Sequence, residues 1–166
     1  MQSSRTQSSR RCGFTLVEIL VVLVILAIAG AMVMPMFFGL GGMEAMSAAR
    51  IIASDLQYAQ NVAVTSQTSV TVEFNLGADS YGLSNASGLL KHPMTNADYL
   101  VDLRSQHGFD HLDIVSASFD GGYQVTFDEL GSPDNGGVIT VQGGPEVYRI
   151  DVAPVTGTVT VTAVEP

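Results

Sequence analysis

Four places in the sequence hold side chains whose types and spacing could do chemistry. Glu18 is a lone acid at the edge of an apolar run; from Ile19 to Met34 every residue is apolar or glycine. A charged residue at the centre of a membrane helix costs roughly 2.5–3.5 kcal/mol. Such a carboxylate must protonate or find a cation, because burying a bare charge is prohibitive. His107 and His111 stand four residues apart with Asp113 close by, a spacing that binds metal when a helix puts both rings on one face. Gly108 and the Gly/Asp content around it argue for a loop instead. Asp128, Glu129, Asp134 and Asn135 crowd hard oxygen ligands suited to calcium into one turn, without EF-hand spacing. A solvated acidic loop is the simpler reading. Fourth, Ala27-Ile28-Ala29 has the small-x-small form of a signal-peptidase site. The sequence holds no G-x-S-x-G, Walker A or H-E-x-x-H motif, so it offers no enzyme reading, and no cofactor is expected.

The elements that must position these groups follow from composition. The chain has 166 residues, the size of one domain with an appendage. Hydrophobic residues make up 46% and charged ones 14%, and the apolar excess lies near the N-terminus. The 20 residues from Ile19 to Phe38 match the length that crosses ~30 Å of hydrocarbon. Arg5, Arg10 and Arg11 precede them, and subtracting that +3 from the net charge of −9 leaves −12 for the remainder. Basic flanks stay cytoplasmic, which puts the C-terminal part across the membrane. An acidic domain repels phosphate backbones, so nucleic-acid binding is disfavoured. Cys12 is the single cysteine, which rules out an intrachain disulfide; its preceding Arg10 and Arg11 are the wrong order for a lipoprotein signal.

Residues 10–30, RRCGFTLVEILVVLVILAIAG, admit three readings: a cleaved signal peptide, a plain anchor, or a cleavage site followed by an assembly helix. The string Gly13-Phe14-Thr15-Leu16-Val17-Glu18 before a long apolar helix resembles the processing site of type IV pilins and of the pseudopilins of type II secretion systems. The resemblance implies that a prepilin peptidase cuts between Gly13 and Phe14 and that Phe14 becomes N-methylated. Glu18 is then the fifth residue of the mature chain, and Pro35 falls where many members have a helix-distorting proline. It further implies an intersubunit charge pair between Glu18 and the Phe14 amine of a neighbour. The alternative role for Glu18 is a place at headgroup level, favouring the positive end of its own helix.

Beyond the apolar run, Pro35, Gly39, Gly41 and Gly42 predict a bend or unwound stretch over 35–42. Helix resumes with Met46, Ala49, Ile52, Ala53, Leu56, Ala59 and Ala63 at three- and four-residue steps, a stripe for packing on a sheet. From Ser69 the period falls to two. Strands are expected at Val70–Phe74, Asp113–Phe119, Tyr123–Phe127, Val138–Gln142, Val147–Ala153 and Thr158–Val164, as an antiparallel meander. Residues 76–112 show no pattern and read as a variable loop region. Gly131-Ser132-Pro133 and Thr156-Gly157 are tight turns.

FDELGSPDNGGVITVQGG followed by YRIDVAPVTGTVTV resembles the head of GspH/FimT-type minor pseudopilins, and ASDLQYAQNVAVTSQTSVTVEF resembles their helix-to-strand junction. The expected fold is α+β and pilin-like, a long N-terminal helix packed on an antiparallel β head. The expected divisions are a leader at 1–13, a transmembrane and assembly helix at 14–38, an amphipathic half-helix at 39–68 and a periplasmic head at 69–166. The resemblance implies a minor pseudopilin in the bacterial inner membrane, single-pass with its N-terminus cytoplasmic. Its partners would be other pilin-like subunits through the N-terminal helix, the prepilin peptidase and the inner-membrane assembly platform. The alternative is a minor type IV pilus subunit, including the FimT-like subunits that capture DNA. Against DNA capture, the head holds only Arg50, Lys91, Arg104 and Arg149 as cations.

Overall fold

The computed structural model describes the backbone of residues 15–38, 40–105, 109 and 112–164, and the side chains of these except at 32–41. The leader, Gly13, Phe14, His107 and His111 lie outside the described residues. The chain divides into two compact units, residues 1–37 and 38–166.

In the first unit, α1 (Leu16–Phe38) is apolar on every side apart from Glu18 in its first turn. A helix of that kind is made for lipid or for the inside of a bundle, not for water. Among the described residues, no helix is long and apolar enough to cross a membrane. For α1 the described side chains end at Ala31, short of the ~20 residues a span needs.

Helix α2 (Leu40–Ser66) opens the second unit. Of the bend or unwound stretch expected over 35–42, extended unwinding is not seen: residues 35–38 and 40–42 are helical, with Gly39 outside the described residues. Proline removes one helical donor and each glycine costs about 1 kcal/mol. Unwinding would expose several backbone groups in an apolar stretch, which costs more.

Ala45, Ala48, Ala49, Ile52, Ala53, Leu56, Ala59 and Ala63 form the buried face of α2. Met46, expected on this stripe, is exposed instead. The helix lies against two antiparallel sheets. The first contains β1 (Val70–Asn75), β2 (Ser80–Asn85), β3 (Gly88–Leu89), β4 (Leu100–Asp102) and β6 (Gln124–Phe127), with path β3-β2-β1-β6 and β4 also on β2. The second is β5 (Leu112–Ser118), β7 (Gly137–Gly143), β8 (Glu146–Val152) and β9 (Val159–Val164), in the order β5-β7-β8-β9.

The six expected strands are present. Two expectations need correction. The chain does not run as one meander, because β6 leaves β5 to pair with β1 before β7 returns to β5. Within the supposed loop of 76–112 lies β2, which pairs along its whole length with β1. Its Tyr81 and Leu83 are buried and alternate, but Ser80, Gly82, Ser84 and Asn85 around them are residues that ordinarily mark turns.

Candidate functional site

Thr15 precedes α1 and caps it: its Oγ1 accepts from the Glu18 amide at 3.2 Å and its carbonyl from the same amide at 3.0 Å. Thr15-x-x-Glu18 is the spacing of a capping box, with Glu18 at the third helical position. That spacing is legible in the sequence, although attention to the apolar run alone misses it. The carboxylate therefore stands in the positive end of its own helix, worth about 0.3–1 kcal/mol when exposed. Glu18 is exposed, as are Leu16, Val17, Ile19 and the apolar residues after it up to Ile28. Glu18 is thus one exposed acid in the first turn of a helix whose other described side chains are exposed and apolar or glycine. Pro35 lies within α1; the scissile Gly13–Phe14 bond lies outside the described residues.

The head carries its polar side chains as fasteners. Asp55, beside the buried stripe of α2, accepts from the Tyr81 hydroxyl at 2.6 Å and the Tyr99 hydroxyl at 3.0 Å. Both phenols are held well above their ordinary range, first by burial and then by the Asp55 charge and hydrogen bond. Gln60 Nε2 donates to the Gly131 carbonyl at 2.7 Å and the Thr156 carbonyl at 2.9 Å. One amide thus ties α2 to both turns singled out in the sequence. Gly131 (φ 83°) and Gly157 (φ 65°) adopt the left-handed backbone those turns need. Neither Asp55 nor Gln60 has a signal in the sequence beyond polarity at the margin of an apolar stripe.

Asp79, 2% exposed and at φ 45°, accepts from the Ile114 amide at 2.7 Å through Oδ1. Its Oδ2 lies 2.5 Å from Arg104 Nη2 without the angle of a hydrogen bond, so the charge is balanced but that oxygen has no donor among the described residues. Arg104 also holds Asp113, at 2.8 Å. Asp113, the carboxylate considered beside His107 and His111, is therefore engaged with an arginine.

The acidic loop has a local task. Asp128 Oδ1 accepts from the amides of Leu130 (2.9 Å) and Ser132 (2.8 Å), and Asp134 Oδ1 from those of Thr126 (3.0 Å) and Asn135 (2.8 Å). These carboxylates fold turns by accepting from backbone amides. Among the described residues, no group of three or more His, Cys, Asp or Glu side chains could hold a metal ion.

Comparison with known proteins places this geometry. The family model described as "Type II transport protein GspH" matches residues 48–157, and the prokaryotic N-terminal methylation motif matches residues 8–34. Two structures of the minor pseudopilin EpsH from the type II secretion system of Vibrio cholerae superimpose with a TM-score of 0.57 each, at 15% and 14% identity. They cover 72% and 75% of this chain and 97% of their own. The type IV minor pilin FimU of Pseudomonas aeruginosa gives 0.48 at 16% identity, over 74% of this chain and 89% of its own. Comparison with curated proteins finds no match. The likeness to EpsH concerns the fold: helices followed by antiparallel sheets.

Proposed function

The chain belongs to the GspH family of type II transport proteins, and from that premise we propose that it is a minor pseudopilin-like subunit of a type II secretion pseudopilus. The family is one of transport components and not of enzymes. The observation that carries the reading is the pairing, in one chain, of a GspH head over 48–157 with a methylation motif over 8–34.

In this reading the leader 1–13 stays cytoplasmic, the segment 14–38 that contains α1 is anchored in the inner membrane, and the head faces the periplasm. A prepilin peptidase cuts between Gly13 and Phe14, which creates a cation at the Phe14 amine. Thr15 caps the start of α1 and so fixes Glu18 in its first turn, four residues after Phe14 in the sequence. In a bundle of such helices, Glu18 meets the amine of an axially shifted neighbour. The pair is worth more among aliphatic side chains than in water, because the local dielectric is lower. The other subunits supply these amines, and the inner-membrane platform supplies the motion.

Two measurements test this. Mass spectrometry of the mature chain is expected to find N-methylated Phe14 at its start; a start at Gly30 would sink the reading. Glu18→Ala is expected to leave membrane insertion unchanged while recovery in the sheared filament fraction falls about tenfold, the equivalent of 1.4 kcal/mol. Normal assembly of that variant beside wild-type partners would remove the charge pair from the mechanism.

A further inference from the structure

Leu130 is 84% exposed and Val155 76% exposed. Scattered apolar side chains on a surface need no explanation, but these two flank one fastened junction. Leu130 precedes Gly131 and Val155 precedes Thr156, and the carbonyls of Gly131 and Thr156 share the single Gln60 amide. The Gly131 carbonyl lies 3.3 Å from where a Cβ on Gly157 would stand, so the two turns touch. Val64 of α2, 41% exposed, packs beside Gly131, its Cγ2 lying 3.0 Å from where a Cβ there would stand.

Val155 adds a second, independent oddity. Its φ is 76°, a left-handed conformation in which a β-branched side chain is a genuine outlier. Glycine or asparagine would fit this turn without strain. The fold instead holds an aliphatic side chain there and points it at water. Strain of this kind persists only where the surrounding structure over-determines it, and it concentrates at functional positions. Here the surroundings are the Ala153–Thr158 and Gly157–Ala153 backbone bonds, at 2.9 and 3.0 Å, together with the Gln60 tie.

We propose that Leu130 and Val155 are a rigid apolar knob that docks into the head of a different pilin-like subunit, in an apolar recess rimmed by lysine or arginine. The proposal rests on the filament-subunit reading above. Charge selects the partner. The turns at 128–134 and 153–158 contain three acids, Asp128, Glu129 and Asp134, and no base. A second copy of this chain is poorly suited to meet them. Lys91, Arg104 and Arg149, three of the four lysines and arginines beyond the N-terminal arginines, are already held by Asp98, by Asp79 and Asp113, and by Asp151. Like charges facing one another suppress the wrong partner, while a basic rim steers the right one.

The test uses full-length chains in cells, each with Cys12→Ser and one head cysteine: Leu130→Cys, Val155→Cys, or Met94→Cys as the exposed control (Met94 is 89% exposed). A membrane-impermeant maleimide is applied with and without co-expression of the other pilin-like subunits. Labelling at 130 and 155 is expected to slow about tenfold in the filament fraction, as for solvent-excluded anchors, with position 94 unchanged. Unchanged labelling at 130 and 155 in chains recovered from that fraction overturns the proposal, as does equal protection at 94. A disulfide between two copies through position 130 also overturns it, in favour of self-association. A wild-type chain that never enters the fraction overturns the filament reading instead. Val155→Gly separates contact from strain: it is expected to melt at a higher temperature yet enter the filament fraction about tenfold less. Entry at the wild-type level would remove Val155 from the knob.

Discussion

At the scale of single residues, the head is held by a few polar side chains that each do two things. Asp55 takes two phenols, Gln60 takes two carbonyls and Arg104 takes two carboxylates. The tyrosines lead to a pH prediction. Their folded-state pKa values lie above the ordinary value, so the folded chain keeps protons that the unfolded chain releases at high pH. That contribution is full below about pH 10 and is lost as pH rises beyond it. Urea unfolding between about pH 8 and 11.5 is expected to show a plateau and then a decline. Tyr81→Phe should lower the plateau by about 1.5–3 kcal/mol, the range for a hydrogen bond to a charged acceptor, and make the decline shallower. A wild-type curve that stays flat to the alkaline end of that range would contradict this. Little of the set was legible in the sequence. Glu18 was, because a lone acid beside an apolar run is conspicuous. Asp55 and Gln60 were not, because their partners lie 26 to 96 residues away.

At the scale of elements, period-two alternation located six strands, and the stripe of small residues located the buried face of α2. What failed was β2, where buried Tyr81 and Leu83 are separated by turn-forming residues. Close packing of strand ends was also invisible. Gly137 opens β7 against the Phe119 ring: a Cβ there would overlap the ring and lie 2.6 Å from the Ser118 carbonyl. Neither Phe119, 3% exposed, nor the β5 backbone has room to give. Gly137→Ala is expected to cost about 3 kcal/mol, the upper range for overpacking, read as a drop in urea midpoint. Gly30 lies within α1, where an added Cβ would meet nothing within 4 Å and alanine favours the helix, so Gly30→Ala is the comparison expected not to lower the midpoint. Equal midpoints for the two variants would show that β7 can shift.

At the scale of the whole molecule, charge does more than sequence patterning to limit partners. The net charge is −9 with the three N-terminal arginines included and −12 for the residues that follow them. Binding to DNA needs phosphates to be neutralised, so full-length chain in detergent is expected to give no mobility shift with duplex or single-stranded DNA at low salt. A shift that weakens with added salt would favour a DNA-capture subunit. The order of strands within each sheet was beyond the sequence for a physical reason. Alternation says which face of a strand is buried, not which strand lies beside it. The exchange of β6 into the sheet of β1 is set by contacts between distant segments.

The buried face that α2 turns to the sheets is lined by six alanines with Ile52 and Leu56, while Ile51, Tyr58 and Val62 pack at its margins. Alanine loses no rotamer freedom on burial, and a surface made of it has few ridges to set a register. That all-alanine part of the seat does little by itself to stop the helix sliding or rotating. Asp55 and Gln60 prevent this, since each grips fixed points on separate strands and turns. The helix is keyed like a shaft in a hub. Torque or axial pull applied to α2 is therefore delivered to the sheets through two side chains about one and a half turns apart.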